Sequence, residues 1–271
     1  MRHRKVMWVG ALAALCVPAL AGEDEPKSAD EIIAKYVEAI GGRKKLDSVN
    51  TMKSSGKLVM GGGIEAPLVI ENKRPDKVRF EFTFQGMTGT QAFDGTVGWF
   101  VMPFMGKPDP EKMSDDQLKA MREQAEFDPN PLIDYAKKGH KAELIGKDDV
   151  DGTDAYKIKL TREDGSVEYH YFDAEYFIPL KVEGKREFQG TEIEYSVTFG
   201  DYKEVDGMMI AHKVMPQGGM GGTLTFEDVE LNVPIDEARF RMPEVKRDDA
   251  EKKADEGEKE GKKEADDESD S

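Results

Sequence analysis

Two spacings of hydrophobic residues alternate along this chain, one typical of helices and one typical of strands. Over 28–40, apolar residues recur every three or four positions, which places them on one face of a helix. Ser28 and Glu31 have the spacing of a capping box at the start of this segment. Gly41 and Gly42 follow its last apolar residue and end it. The pattern predicts one amphipathic helix.

The helical spacing returns between residues 114 and 139. Ser114 and Gln117 form a second capping-box pair, and a narrow apolar stripe follows them. Asn130-Pro131 has the sequence of a helix cap and first turn, and Gly139 marks an end. This region therefore predicts one helix and then a short second one, which makes three helices in the chain.

Elsewhere the hydrophobic period is two residues, as in strands with one buried face. Segments of this kind fill 51–102 and 141–231, and short turns such as Asp94-Gly95 separate them. Residues 77–85 alternate most regularly, and their apolar residues on one face are Val78, Phe80, Phe82 and Phe84. Short turns between consecutive strands predict an antiparallel meander of about eleven strands.

A sheet of this size curls or splits, and three helices are too few to cover both faces of a flat sheet. The predicted fold is therefore mainly β, with some α+β character. It is a single curved antiparallel sheet that forms an unclosed β-barrel, with the helices plugging its open side. Such a shape has a concave apolar interior.

The first 21 residues have the features of a secretory signal peptide, with a positive start, an apolar stretch and Ala19-Leu20-Ala21 before a polar segment. We expect cleavage after Ala21 and export. Cys16, the single cysteine, lies in the apolar stretch and follows Leu15, whereas a lipoprotein acylation site requires a small residue there. The mature chain then has no cysteine and forms no disulfide.

Residues 244–271 are almost all charged or small, so we expect a disordered tail that acts either in interactions or in solubility. Removal of both ends leaves 22–243 as one domain of 222 residues. The leader carries +3 and the tail −6 of the formal charge of −16, so the body holds −13. An acidic body of this kind is repelled by nucleic acid.

The sequence contains no recognisable catalytic or metal-binding motif. His140, His170 and His212 stand in separate segments without metal-ligand spacing, and we expect them at the surface of strands or loops. No cofactor and no metal are expected. Paired carboxylates remain open because acidic residues are abundant, so a secreted hydrolase is an alternative to a non-enzymatic protein.

Residues 97–102 are apolar on both faces, so this predicted strand must be covered on both sides. Trp99 and Val101 share one face, and Phe100 and Met102 share the other. Either the strand belongs to a solid core, or one of its faces lines a hollow that holds an apolar ligand. Methionine, which occurs 14 times, has a flexible side chain that suits the second arrangement.

A series of short motifs resembles the periplasmic lipoprotein carrier LolA and its relatives. In order, these motifs are Lys73-Arg74-Pro75, Asp94-Gly95, Trp99, Pro103-Phe104, Asn130-Pro131-Leu132 and the ending IDEARFRMP with Phe240 and Pro243. The resemblance covers about 50–243. It implies an unclosed β-barrel with a helical lid and a hollow interior that takes up the acyl chains of lipoproteins.

The resemblance also implies a location and partners. It predicts a periplasmic carrier and chaperone, expected to be a monomer, that receives lipoproteins or lipids from an inner-membrane exporter. It predicts delivery towards the outer membrane through a receptor anchored by a lipid. Arg74 matches the family arginine that holds the lid closed by hydrogen bonds, and Val78 matches an apolar position near the mouth of the cavity.

The residues that we expect to line the cavity combine the regular strand, the strand with two apolar faces and the helical region. They are Val78, Phe80, Phe82, Phe84, Trp99, Val101, Met102, Phe104, Leu118, Met121, Leu132 and Ile133. Arg74 is expected to clamp the lid by reaching carbonyls of 114–139. An alternative is a lipid-sensing or structural module of the same fold, which has a filled core and acts by binding a protein partner.

Overall fold

The computed structural model describes residues 25–188, 191–217 and 222–244. The signal peptide, its cleavage after Ala21 and the tail from 245 onward lie outside these residues and remain predictions. The bounds of the predicted domain, 22–243, likewise stay a prediction.

One antiparallel sheet of thirteen strands forms the body of the protein, and it does not close on itself. The strands run in the order β6-β5-β4-β3-β2-β1-β13-β12-β11-β10-β9-β8-β7 across the sheet. Their bounds are β1 Thr51–Met60, β2 Ile64–Lys73, β3 Lys77–Phe84, β4 Met87–Phe93, β5 Gly98–Met102, β6 Lys107–Lys112, β7 Lys141–Val150, β8 Thr153–Thr161, β9 Val167–Asp173, β10 Pro179–Phe188, β11 Thr191–Val205, β12 Met208–Gln217 and β13 Gly222–Leu231. The predicted fold class, a single curved and unclosed antiparallel sheet, is confirmed.

The sheet contains two strands more than the expected eleven. β6 is a strand that the hydrophobic pattern does not indicate, because Pro108 and Pro110 interrupt a charged sequence. It pairs only with β5 and forms one edge of the sheet. Proline is tolerated at such an edge, where its missing N–H removes no hydrogen bond to a neighbour.

The α-helices of the described residues are α1 Ala29–Ala39, α2 Arg43–Ser48 and α3 Asp115–Ala125. α1 begins as predicted, since Ser28 accepts a hydrogen bond from the Glu31 N–H. α3 has the complete capping box of Ser114 and Gln117. None of the helices among the described residues has the length and hydrophobicity that a membrane span requires.

The short helix predicted after Asn130-Pro131 is wrong, because this segment consists of successive turns. Asn130 accepts a hydrogen bond from the Leu132 N–H, as a helix cap does. The backbone of Asp134 then has a φ of 55°, which interrupts right-handed helical geometry. The third helix is instead α2, a six-residue segment without a side-chain cap at its start.

The main core lies between α1 and the strands β8, β9 and β13. Ile32 and Tyr36 of α1 are fully buried, and the ring of Tyr36 lies 5.2 Å from that of Phe172 on β9. Leu132 and Ile133 from the turns after α3 complete this core. Its apolar burial, worth about 25 cal/mol per Å², is the main stabilising contribution at this end of the sheet.

The pairing register assigns each strand residue to one of two faces. Val78 on β3 pairs with Phe93 on β4, and both pack against Met121 and Ala125 of α3. Val78 pairs with Asn72 on β2, Asn72 pairs with Met52 on β1, and Met52 pairs with Leu231 of the main core. The face that α3 covers is therefore the same face on which α1 packs. All three helices therefore cover parts of one face, which we call the inner face.

Candidate functional site

Half-buried apolar side chains form a row on the inner face of β1, β2 and β3, beside the buried Ala66 and Leu68. This row, which we call the apolar wall, consists of Leu58, Met60, Ile70, Phe80, Phe82 and Phe84. These side chains are half-buried, in contrast to the fully buried residues of the main core. The inner face is therefore incompletely filled here and exposes apolar surface within a concave sheet.

α3 covers only one end of this region. A Cβ atom placed on Gly98 of β5 would lie 2.8 Å from the sulfur of Met113 and 2.9 Å from Cδ1 of Leu118. The absence of a side chain at Gly98 thus allows the start of α3 to pack closely on the sheet. Leu118 and Met121, both predicted to line the cavity, contact the inner face in this way.

The opposite end of the apolar wall carries an aromatic cluster and exposed apolar residues. The ring of Phe104 lies 5.4 Å from that of Phe82 and 6.2 Å from that of Phe84. Beyond these rings, the turns that follow β1, β3 and β5 all lie at this end of the sheet, because neighbouring strands are antiparallel. Ile64, Met87 and Met105 at these turns are exposed. This end is an apolar opening to the concave surface.

Trp99 and Val101 do not belong to this surface, which corrects their place among the cavity residues. Trp99 pairs with Ala92 and Val101 with Thr90, on the face opposite to Val78 and Phe93. The indole N–H of Trp99 donates to the carbonyl of Phe240 over 2.7 Å, so the C-terminal segment covers this outer face.

The strand with two apolar faces is thus covered by different parts of the chain. Phe100 and Met102 share the inner face with the apolar wall. Leu132 and Ile133, also expected in the cavity, are buried in the main core beside α1 and lie apart from the apolar wall. Alternation along a strand separates its residues into two faces, but it does not tell which face is inner.

Arg74 joins three segments of the chain. Its Nε donates to the carbonyl of Val49 over 2.8 Å, and its Nη2 donates to the carbonyl of Leu46 over 3.2 Å. Both Nη atoms also contact one carboxylate oxygen of Asp128 at 3.2 Å. The guanidinium lies 4.4 Å from the ring centre of Phe127.

The acceptors of Arg74 differ in part from the expected ones. The backbone carbonyls belong to α2 and the residue after it, so the expectation that they come from 114–139 is wrong. Contact with that segment is made by the side chains of Asp128 and Phe127. Arg74 therefore does tie the segment after α3 to the body.

A second set of side chains on the inner face is polar. This set, which we call the polar patch, consists of Arg162, Glu168, His170 and Tyr195. The carboxylate of Glu168 accepts from the Tyr195 hydroxyl over 2.6 Å, from Arg162 Nη2 over 3.2 Å and from His170 Nε2 over 3.2 Å. The patch lies on β9 and β11 and at the end of β8.

These contacts determine which side chains of the polar patch are ionised. Burial opposes ionisation of Glu168, but the hydrogen bond from His170 and the charge of Arg162 outweigh it and lower the pKa of Glu168 to about 2. Burial and then the negative charge of Glu168 raise the pKa of Tyr195. The patch thus holds an ionised carboxylate paired with a guanidinium.

Sequence reasoning missed the polar patch. His170 is 1% exposed and His212 is 4% exposed, so the expectation that they lie at the surface is wrong. The signal that could have found Glu168 and His170 is the strand period, which puts them on one face with Phe172. The described residues contain no cluster of three or more metal-ligating side chains.

Two polar surface cavities lie away from the apolar wall. One of about 800 Å³ borders Thr51, Lys73 and Asn232. The other, of about 1230 Å³, borders Lys181, Glu183 and other charged residues of β8–β11. Their polar lining does not suit an acyl chain, so neither is the predicted cavity.

Comparison with known proteins identifies the fold. No protein family model matches the chain. No curated protein matches it in sequence. Solved structures with similar folds have TM-scores of 0.53 to 0.55 and identities of 12% to 16%.

An outer membrane lipoprotein-sorting protein domain from Vibrio parahaemolyticus has 16% identity and a TM-score of 0.53, over 78% of this chain and 95% of that one. A LolA superfamily protein from Nitrosomonas europaea has 15% identity and a TM-score of 0.53, over 80% and 98%. A DUF1329 family protein from Desulfovibrio piger has 12% identity and a TM-score of 0.55, over 78% and 96%. At these identities the likeness is one of fold.

Proposed function

We propose that this chain, whose fold is LolA-like, is a non-enzymatic periplasmic carrier that holds acyl chains of lipids or lipoproteins against the apolar wall. The observation that carries the proposal is the half-buried state of the six side chains of the wall within a concave sheet. A filled core, as in a purely structural module, would bury these side chains as completely as Ile32 and Tyr36. An acyl chain supplies the missing apolar contacts.

The affinity of such a site follows from apolar burial. Each methylene group removed from water contributes about 0.8 kcal/mol, so about ten methylenes contribute about 8 kcal/mol before the costs of binding. Those costs include the lost freedom of the chain and of the protein, and they leave a reversible affinity. Reversible binding is what a carrier between two membranes requires.

Release requires that the covering segment move. Besides its apolar contacts with Val78 and Phe93, α3 is attached through an ion pair between Lys119 and Asp164 at 2.9 Å. This pair is well exposed, so it contributes at most about 1 kcal/mol. Opening of α3 uncovers the apolar wall and allows delivery towards the outer membrane through a lipid-anchored receptor, after loading from an inner-membrane exporter.

A single charge on the apolar wall tests the proposal. In the exported chain, Phe82→Asp should lower the affinity for a neutral probe, the methyl ester of a pyrene-labelled fatty acid, by about tenfold or more. Thr83→Asp is the matched control, because residue 83 lies on the opposite face of the same strand. Binding is followed by pyrene fluorescence, and thermal unfolding verifies that both variants fold.

The proposal fails if the folded wild-type chain does not bind the probe, or if Phe82→Asp and Thr83→Asp bind it equally well. In either case a module that acts by binding a protein partner explains the fold better.

A further inference from the structure

The polar patch is built across four neighbouring strands of the inner face. Register aligns Leu160 on β8 with Glu168 on β9, Glu168 with Gly184 on β10, and Gly184 with Tyr195 on β11. Tyr195 reaches Glu168 by passing over Gly184. A Cβ atom at Gly184 would lie 3.1 Å from the Tyr195 hydroxyl, so the glycine leaves the room that this contact needs.

Two buried nitrogen atoms of the polar patch have no hydrogen-bond partner among the described residues. They are Nε of Arg162 and Nδ1 of His170. The carboxylate of Glu168 can only accept, so His170 Nε2 carries a proton, and in the neutral imidazole Nδ1 presents a lone pair. The patch therefore offers one donor, the Nε–H of Arg162, and one acceptor, Nδ1 of His170.

Unpaired polar groups of this kind are costly inside a protein, and native structures rarely contain them without a ligand, an ion or water to complete them. The side chain of His170 is 1% exposed. That of Arg162 is 14% exposed. A ligand group that both accepts and donates would satisfy both atoms.

The polar patch is continuous with the apolar wall along the inner face. From Leu58 the register leads to Leu224 on β13, Val214 on β12 and Phe199 on β11. These apolar residues are half-buried, like the wall itself. On β11 the next inner residue is Val197, which pairs with Val182, and Val182 in turn pairs with His170. Apolar residues therefore connect the two regions across the inner face.

We infer that the polar patch binds the head group of the lipid, and that this head group is a neutral glycerol ester with a free hydroxyl, as in diacylglycerol. The inference rests on the proposed function and names the class of ligand. An ester carbonyl accepts from Arg162 Nε–H, and a hydroxyl donates to His170 Nδ1. Glu168 repels a carboxylate or a phosphate, and so does Glu126, which directly follows α3 and lies 3.9 Å from Arg162.

Three ligands with matched chains test the inference on the exported chain. They are 1,2-dioctanoylglycerol, its 3-O-methyl ether, which lacks the hydroxyl, and its 3-phosphate, which is anionic. We expect dioctanoylglycerol to bind about tenfold more tightly than the methyl ether, because only it can donate to His170. The 3-phosphate should bind most weakly. Displacement of the pyrene probe measures all three affinities.

Two conservative variants locate the selectivity. His170→Gln keeps a donor for Glu168 and loses the free Nδ1 acceptor, while Arg162→Lys keeps the charge and loses Nε–H. His170→Gln should bring dioctanoylglycerol and the methyl ether to about equal affinity, with binding of the methyl ether unchanged. Arg162→Lys should weaken both ligands by a similar factor, because each of them keeps the ester carbonyl that accepts from Nε–H. His212→Gln is the matched control, since His212 is also buried but lies on β12 with its Nδ1 beside the Ile210 carbonyl.

The outcomes separate the inference from the proposed function. Equal binding of the three ligands by the wild-type chain overturns the inference and leaves the carrier function in place. Selectivity that survives in His170→Gln also overturns it, because the patch would then not cause it. If no ligand and no pyrene probe binds, the carrier function itself is wrong. The wild-type comparison decides even if one variant does not fold.

Discussion

The two halves of the inner face differ in how their side chains are satisfied. On β1–β3 the side chains of the apolar wall are half-buried. In the polar patch Glu168 and His170 are buried, and both oxygens of the Glu168 carboxylate are hydrogen-bonded. The apolar wall lacks apolar contacts, and the polar patch has two nitrogen atoms without a hydrogen-bond partner among the described residues. An amphiphilic ligand would supply both.

The segment that covers the inner face reflects the same division. Met121 and Ala125 of α3 pack on the apolar half. Lys119 and Glu126 face the other half, where they pair with Asp164 and approach Arg162. The segment from 114 to 139 is thus apolar towards one half and charged towards the other, which fixes its orientation over the sheet.

Substitution of Glu168 should have the largest effect on stability among the changes that test this difference. Its folded-state pKa of about 2 lies below the ordinary value of 4.5, so its ionised form stabilises the protein above pH 4.5. That stability, about 3 kcal/mol, should be lost as the pH falls from about 4.5 to 2. Glu168→Gln should remove it at neutral pH and flatten the acid limb of the stability curve.

Denaturant unfolding between pH 7 and pH 2 measures this effect. Glu194→Gln, an exposed carboxylate on the next strand but one, is the control and should change little. A Glu168→Gln variant with wild-type stability and an unchanged pH profile would show that the polar patch does not stabilise the fold.

Substitution of two inner-face glycines, Gly184 and Gly98, should have effects of intermediate size that also distinguish the two halves. Gly184→Ala should cost about 2 kcal/mol, because the new Cβ meets the Tyr195 hydroxyl and the backbone oxygen of Val167, both at 3.1 Å. Gly98→Ala should cost less, under about 1 kcal/mol, since the atoms it meets are the flexible ends of Met113 and Leu118. Thermal unfolding compares the two variants.

Their signatures should also differ. Gly98→Ala displaces the start of α3, so hydrogen exchange of 113–125 should become faster. Gly184→Ala should leave that exchange unchanged. The reverse order of costs, or faster exchange of α3 in Gly184→Ala alone, would contradict the division of the inner face.

Arg74 should give a modest change in stability and a localised change in dynamics. Arg74→Leu removes contacts with Leu46, Val49 and Asp128, so we expect a loss of about 1–2 kcal/mol. Hydrogen exchange of 126–133 should become faster while β1–β3 stay protected. Binding of the pyrene probe should be retained, with faster release, because the covering segment opens more often.

Arg74→Lys is the matched variant for this prediction. A lysine cannot donate to two carbonyls and a carboxylate with the planar geometry of a guanidinium, so it should restore little of the protection. Equal exchange of 126–133 in the wild type and in Arg74→Leu would show that Arg74 does not hold this segment.

The sequence by itself determined most secondary structure of this protein. Strand alternation, paired turns such as Asp94-Gly95 and the caps at Ser28 and Ser114 are local signals, and local backbone chemistry is sufficient for them. α2 and β6 were missed because a six-residue helix without a side-chain cap and a strand with two prolines lack those signals. They form because the neighbouring core and β5 hold them in place.

Only the tertiary structure decided which faces and residues come together. The period of two separates Trp99 from Met102, but the position of the helices made the Met102 face the inner one, and the C-terminal segment covered Trp99. Arg162, Glu168 and Tyr195 lie on three different strands, and register brings them into contact. Such contacts depend on residues distant in sequence, and a local pattern contains no information on that pairing.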